Sequence, residues 1–158
     1  FMKQSAQNIS YDYIRGIVAG GSGTFTFTTT SSGYKRKKVP SFQLRMNVKN
    51  KELVEKIRRH LRLKNSIYIY QYSGKDGYKR SPFAMLIVRD LGSLKNVIIP
   101  LFYDQLIGSK GKQLNEWLEK IGTDQEVAES YKILYRLHRS GYFKMGLCHG
   151  GLFEKFLD

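Results

Sequence analysis

The sequence has one cysteine, Cys148, and three prolines in 158 residues, and it has no long apolar run. A single thiol excludes an intrachain disulfide and any multi-cysteine metal site, so Cys148 reads as a small core hydrophobe in a reducing compartment. No stretch approaches the roughly 20 apolar residues needed to cross a bilayer, and the first residues lack the apolar centre of a signal peptide. The expectation is a soluble, intracellular protein. The three histidines, His60, His138 and His149, show no metal-ligand spacing and are expected at surface or partly buried positions.

Acidic residues are also scarce. Thirteen Asp and Glu stand against 27 Lys and Arg, a net charge of +14. The imbalance is local: Ser31 to Arg80 holds 15 basic and 3 acidic residues, +12 in one contiguous third. Solubility alone does not require this, since mixed charges keep a surface soluble, so the excess points to a polyanion. A basic membrane binder would show an amphipathic helix with cations on one face, whereas here the charges interleave with strand-like sequence.

At this length the chain can bury one core without staples. Ser10 can cap a first helix in which Tyr13, Ile14, Ile17 and Val18 recur at helical spacing up to Gly20. The run Gly20-Gly21-Ser22-Gly23 breaks it. Because it follows a helix rather than a strand, it is not a phosphate-cradling loop. Thr24 to Thr28 alternates strictly as a strand, with Phe on one face and Thr on the other. Past a turn and the basic loop Lys35 to Lys38, a second alternating run places Phe42, Leu44, Met46 and Val48 opposite Gln43, Arg45 and Asn47, which makes a hairpin.

Asn50 can cap a second helix with Leu53, Ile57 and Leu61 on its apolar side. Ser66 to Tyr72 sets Ile67 and Ile69 against Tyr68, Tyr70 and Tyr72, and Ser73 to Gly77 turns it into a fourth strand from about Pro82 to Val88. Helices are expected over Leu94 to Tyr103, kinked or shortened by Pro100, then over Lys112 to Ile121 and Asp124 to Arg139. The organisation reads as an N-terminal arm 1–9, a domain 10–140 and an unassigned tail 141–158. The fold class is α+β, in the order αββαββα followed by more helix.

Such a sheet has two chemically different faces. Phe25, Phe27, Phe42, Leu44, Met46, Ile67 and Ile69 can cover the helices as a core. The other face shows Thr26, Thr28, Gln43, Arg45, Asn47, Tyr68, Tyr70 and Tyr72, with Lys35, Arg36, Lys37, Lys38, Lys75, Lys79 and Arg80 at the hairpin tips. Strands fit the major groove of duplex DNA, where Arg, Gln and Asn bond base edges and rim lysines neutralise phosphates. An ordinary solvated face would carry more Glu and fewer aromatics. Single-stranded RNA competes, since exposed tyrosines stack on unpaired bases. However, a ribonucleoprotein-type sheet runs β-α-β-β-α-β, an order this chain lacks. The localisation expected is with DNA, in a prokaryotic cytoplasm or an organelle.

Tyr13-Ile14-Arg15-Gly16-Ile17-Val18-Ala19-Gly20, with the glycine break and the Thr/Phe strand after it, resembles the signature helix of the LAGLIDADG homing endonucleases. Ser41-Phe42-Gln43-Leu44 through Leu53-Val54 resembles the family's second strand and second helix. Leu94 to Pro100, then Leu106-Ile107-Gly108-Ser109-Lys110, resembles the stretch leading to its pocket lysine. Together these segments cover roughly Tyr11 to Ile121.

The resemblance implies a homodimer of the single-motif type, with Ile14, Gly16, Ile17 and Gly20 at the helix interface and an approximately two-fold DNA site. It further implies a Mg²⁺-dependent endonuclease with an acid at the foot of the signature helix. That position holds Gly21, or Ser22 if the register is set from Gly23-Thr24-Phe25, and neither is a carboxylate. Asp12 is more than two turns upstream, on the order of 12 Å. The polar residue that positions water in relatives falls near Val48.

Lys110 matches the pocket lysine as a catalytic candidate that stabilises charge near the attacking water, and standing alone it reads equally as a phosphate contact or a solvated lysine. The expectation is therefore sequence-specific duplex binding with impaired cleavage. One alternative is residual cleavage, with metal held weakly by the backbone carbonyls of Gly20 and Gly21. Another is an intron-RNA-binding splicing cofactor of the maturase kind. Neither a membrane nor a small-molecule substrate is implied.

Overall fold

A computed structural model describes residues 8–30, 36–71 and 81–144. Helix α1 (Tyr11–Ile17) starts where Ser10 accepts the Tyr13 N–H at 3.0 Å and runs into a wide π turn, Val18–Ser22. Gly21 ends the turn at φ +118°, a left-handed conformation that favours glycine. Strand β1 (Gly23–Thr29) follows at once and pairs antiparallel with β2 (Lys38–Asn47). Helix α2 (Lys51–His60), β3 (Ile67–Tyr70) and β4 (Phe83–Val88) complete the repeated pattern. The four antiparallel strands lie in the order β1-β2-β4-β3.

The predicted helix from Leu94 to Tyr103 is instead a compound one. Asp90 caps α3 (Leu91–Ser93) by accepting the Ser93 N–H, a π turn covers Leu94–Ile98, and α4 (Ile99–Phe102) completes it. Pro100 has no N–H to return to the preceding turn, and a local widening there removes the clash of its ring with the carbonyl four residues back. Helix α5 (Ser109–Thr123) is longer at both ends than expected. The predicted helix from Asp124 does not form at its start. The Asp124 carboxylate accepts the Glu126 N–H, and Lys38 and Val127 form a parallel bridge, which draws the backbone out of helical geometry. A short 3₁₀ turn, Glu129–Tyr131, then leads into α6 (Lys132–Ser140). Asn50 is not the side-chain cap of α2; Asn47 accepts the Lys49 N–H instead, opening a 3₁₀ turn over Val48–Asn50.

The core lies between the inner sheet face and the helices. Phe25 contacts Phe42, Phe102 and Trp117 with ring centroids 5.3, 5.8 and 5.4 Å apart. Phe143 is also buried in this core, three residues beyond the expected domain end at 140. Ile69, expected inside, is 49% exposed, because it lies on a short edge strand opposite Ala84, with no bulky partner to cover it. The outer edge of β1 is covered by α5. Gln113 Oε1 accepts the Phe25 N–H at 3.0 Å, and Trp117 Nε1 donates to the Thr26 carbonyl at 2.7 Å. These two side chains, four residues apart on one helix face, tie α5 to the backbone of the edge strand.

Candidate nucleic-acid interface

The strand register fixes the outward face, because directly opposed residues share a side of the sheet. Thr24, Gln43 and Ile87 form one row, Arg45, Met85 and Tyr68 the next, and Asn47, Phe83 and Tyr70 a third. Arg45 and Asn47 are exposed, and Tyr68 and Tyr70 are 48% and 41% exposed. Gln43 and Thr26 are half-buried. The Thr28 hydroxyl is buried with no hydrogen-bond partner, as is that of Ser41, which the register places opposite Thr26. Phe83, Met85 and Ile87 belong to this face as well, and periodicity does not mark them. Phe83 to Val88 is apolar at every position, so no alternation marks which side chains point out; burial of Ala84, Leu86 and Val88 does.

The aromatic rings form a connected series. Tyr68 and Tyr70 centroids are 6.2 Å apart, and Tyr70 stacks on Phe83 at 5.4 Å. The Arg45 guanidinium lies 3.7 Å from the centre of the Phe83 ring.

The basic loop divides into two kinds of cation. Arg36 is exposed and Lys37 half-buried. Lys38 is committed to the protein, with Nζ 2.8 Å from Asp124 and 3.2 Å from Glu126. Hydrogen bonds with these two carboxylates raise its pKa, and the bond from Lys38 lowers that of Asp124. Lys38 thus differs from the expected phosphate contact, for the reason that the α5–α6 connection brings acids against it. Lys35, Tyr72, Lys75, Lys79 and Arg80, with His149 and Cys148, lie outside the described residues.

At the foot of α1, Gly16 and Gly20 are exposed, and a Cβ on either would meet nothing within 4 Å. Ile17 is half-buried and Tyr13 is 50% exposed, so positions 13, 16, 17 and 20 form one open stripe. Ile14, expected at a helix interface, is 1% exposed within the chain's own core, since it falls on the opposite side of the helix from Gly16. Arg15 bonds the Leu101 carbonyl at 2.7 Å and Asp12 at 2.9 Å, tying the helix down.

The helical path breaks at Gly21, whose φ of +118° and ψ of −6° turn the chain, and Ser22 follows before β1. Lys110 Nζ is 3.4 Å from Gln113 Oε1, the atom that also holds Phe25, which places it beside the start of β1. Gln113 is a polar group here that no local pattern of residues marks. The donors at the helix foot are backbone carbonyls and the Ser22 hydroxyl, and Asp12 belongs to the first turn, paired with Arg15. Among the described residues no group of three or more His, Cys, Asp or Glu could hold a metal ion. Without an anionic oxygen, this foot does not fit a tightly held Mg²⁺.

His60 packs on Tyr11 with centroids 4.8 Å apart, and burial lowers its pKa. His138 bonds the Tyr103 hydroxyl at 2.9 Å and Glu119 at 3.2 Å. Both are partly buried, as expected. Among the described residues no helix is long and apolar enough to cross a membrane.

A four-stranded antiparallel sheet with helices on one face and a polar, aromatic surface on the other defines the class as an α+β domain built to present a sheet face. No protein-family model matches the sequence, and no curated protein matches it. Solved structures do. Meganuclease I-SmaMI bound to uncleaveable DNA is 20% identical over 88% of this chain, TM-score 0.60. The LAGLIDADG homing endonuclease I-LtrWI bound to target DNA is 18% identical over 87%, TM-score 0.59. I-GzeII in complex with its DNA target is 20% identical over 82%, TM-score 0.54. The chain has the fold of the LAGLIDADG homing endonucleases. It spans about 45% of the length of these structures, 45, 45 and 44% respectively.

Proposed function

We propose that this chain binds a specific stretch of duplex DNA through the outward face of its sheet, and that it does so paired with a second copy of itself. The observation that carries the reading is that Arg45, Asn47, Tyr68 and Tyr70 stand exposed on one surface opposite the helices, on a fold whose solved examples include DNA complexes. The groove-facing chemistry is complementary: a guanidinium and amides for base edges, apolar Met85 and Ile87 for thymine methyls, and Arg36 and Lys37 for phosphates. Pairing is supported by the open stripe of Tyr13, Gly16, Ile17 and Gly20, since a second helix can approach closely where side chains are absent. A two-fold pair reads an approximately two-fold site.

Metal-dependent cleavage is impaired in this reading, because Gly21 and Ser22 occupy the helix foot where an anionic ligand would sit. Lys110 then serves as a cation beside the bound backbone. Selection of bound sequences from a random duplex pool tests the proposal. The expected result is one preferred, roughly symmetric site. Absence of any duplex preference, or tighter binding to structured RNA in competition, defeats it. Rapid nicking of the selected site in Mg²⁺ or Mn²⁺ would refute the impairment alone.

A further inference from the structure

We infer that Phe83 is the positioning residue that presents Arg45 to a guanine, with Tyr70 stacked against the same ring. The inference rests on the duplex-binding reading above and goes on to name the base and the residue that orders its reader.

Arg45 is directly opposite Met85 in the register, yet its guanidinium crosses diagonally to lie 3.7 Å from the Phe83 ring centre. Phe83 is in turn held by Tyr70, with centroids 5.4 Å apart and planes within 24°. Among the described residues Arg45 has neither a hydrogen bond nor an ion pair; its contact with Phe83 is its one assigned interaction.

This matters chemically. A long exposed arginine ordinarily samples many rotamers and must be ordered on binding, and that cost subtracts from affinity for the correct base. A stacked guanidinium is ordered beforehand, and stacking engages only its π face, so the N–H donors along its edge stay free. A planar fork of free donors on a major-groove surface matches the O6 and N7 acceptors of guanine in a bidentate pair. An ion pair with a carboxylate would have ordered the side chain too, but would have consumed the donors.

The test is sequence selection from randomised duplexes with wild type, Arg45→Ala, Arg45→Lys, Phe83→Leu, Phe83→Trp and the Arg45→Ala/Phe83→Leu pair. Arg45→Ala is expected to lose about tenfold preference for guanine at one base pair, and Arg45→Lys, which lacks the planar stacking fork, a part of that preference. Phe83→Leu keeps the apolar bulk but removes the π face, and should lose about two- to fivefold at that same base pair with an unchanged salt slope. Phe83→Trp should retain the preference. In the Arg45→Ala background Phe83→Leu should add nothing.

An effect of Phe83→Leu at another base pair, additivity with Arg45→Ala, or a favoured base other than guanine at that position overturns the inference while duplex binding stands. A wild type with no preference at all defeats the underlying reading and this one with it. Should Phe83→Leu fail to fold, NMR of the free wild type decides. Ring-current displacement of the Arg45 guanidinium resonances supports the stack, and their appearance at free-arginine positions refutes it.

Discussion

Lys38 Nζ lies 2.8 Å from Asp124 Oδ2, so the last cation of the basic loop is joined to the segment between α5 and α6. Replacing Lys38 with Met is therefore expected to lower thermal stability while leaving the salt dependence of DNA binding unchanged. Replacing Arg36 or Lys37 with Ala should do the reverse, each reducing the salt slope by about one with little change in melting. Binding isotherms at several salt concentrations, with melting curves, separate the two kinds of cation.

The same pair sets a pH window. The Asp124 pKa is lowered on folding, so its contribution is present above the ordinary aspartate value and is lost as pH falls through the lower folded value. The Lys38 pKa is raised, so its contribution is present below the ordinary lysine value and is lost only as pH rises through the higher folded one. The stability difference between wild type and Lys38→Met should be constant between about pH 4 and 10 and shrink on either side.

His60 gives a second, separate pH effect. Its Nε2 is buried without a partner against Tyr11, and desolvation lowers the folded pKa. The unfolded chain then takes up the proton first on acidification, so stability falls as pH drops from about 6.5 through the folded value. His60→Phe should flatten that part of the profile in urea titrations at pH 7 and pH 5.

Gly16→Leu and Gly20→Leu fill open space in the isolated chain, so the fold should tolerate them. Self-association should weaken by tenfold or more if the stripe is a close helix contact, on the order of 1.4 kcal/mol. Sedimentation across a concentration series reads this directly. Gly122→Ala is the opposite case. The added Cβ would run into the Tyr135 ring, between α5 and α6, and should cost about 1 to 3 kcal/mol of stability with no effect on association.

Introducing an acid at the helix foot should work at Ser22 and not at Gly21. Ser22→Glu supplies an anionic oxygen, and is expected to confer measurable Mg²⁺-dependent nicking of the selected duplex. Gly21→Asp places a side chain at φ +118°, so it should mainly destabilise, by about 1 kcal/mol or more. Gel assays of nicking and melting curves for both variants check the contrast.

The legible parts of the fold were those with local signals. Ser10 marks the start of α1, and the Thr/Phe alternation marks β1 and both of its faces. The reading surface was half visible: Arg45, Asn47, Tyr68 and Tyr70 alternate with apolar neighbours, whereas Phe83 and Met85 sit in an unbroken apolar run whose faces only pairing with β2 reveals. Lys38 and Ile14 were misplaced because their partners are distant in sequence or set by helix rotation. Asp124 is 86 residues from Lys38, and the side of α1 that meets the core follows from tertiary packing. Gly21 and Ser22 both fit the foot of the helix in sequence, because the kink at Gly21 is a backbone conformation that leaves no mark on residue spacing.

Gln113 and Trp117 pin helix α5 to the backbone of strand β1 at Phe25 and Thr26. A helix seated at that margin hinders a neighbouring strand from adding there, which leaves the four-residue β3 as the sheet's other edge. Strand-to-strand pairing between copies of this chain is thereby disfavoured at the β1 margin.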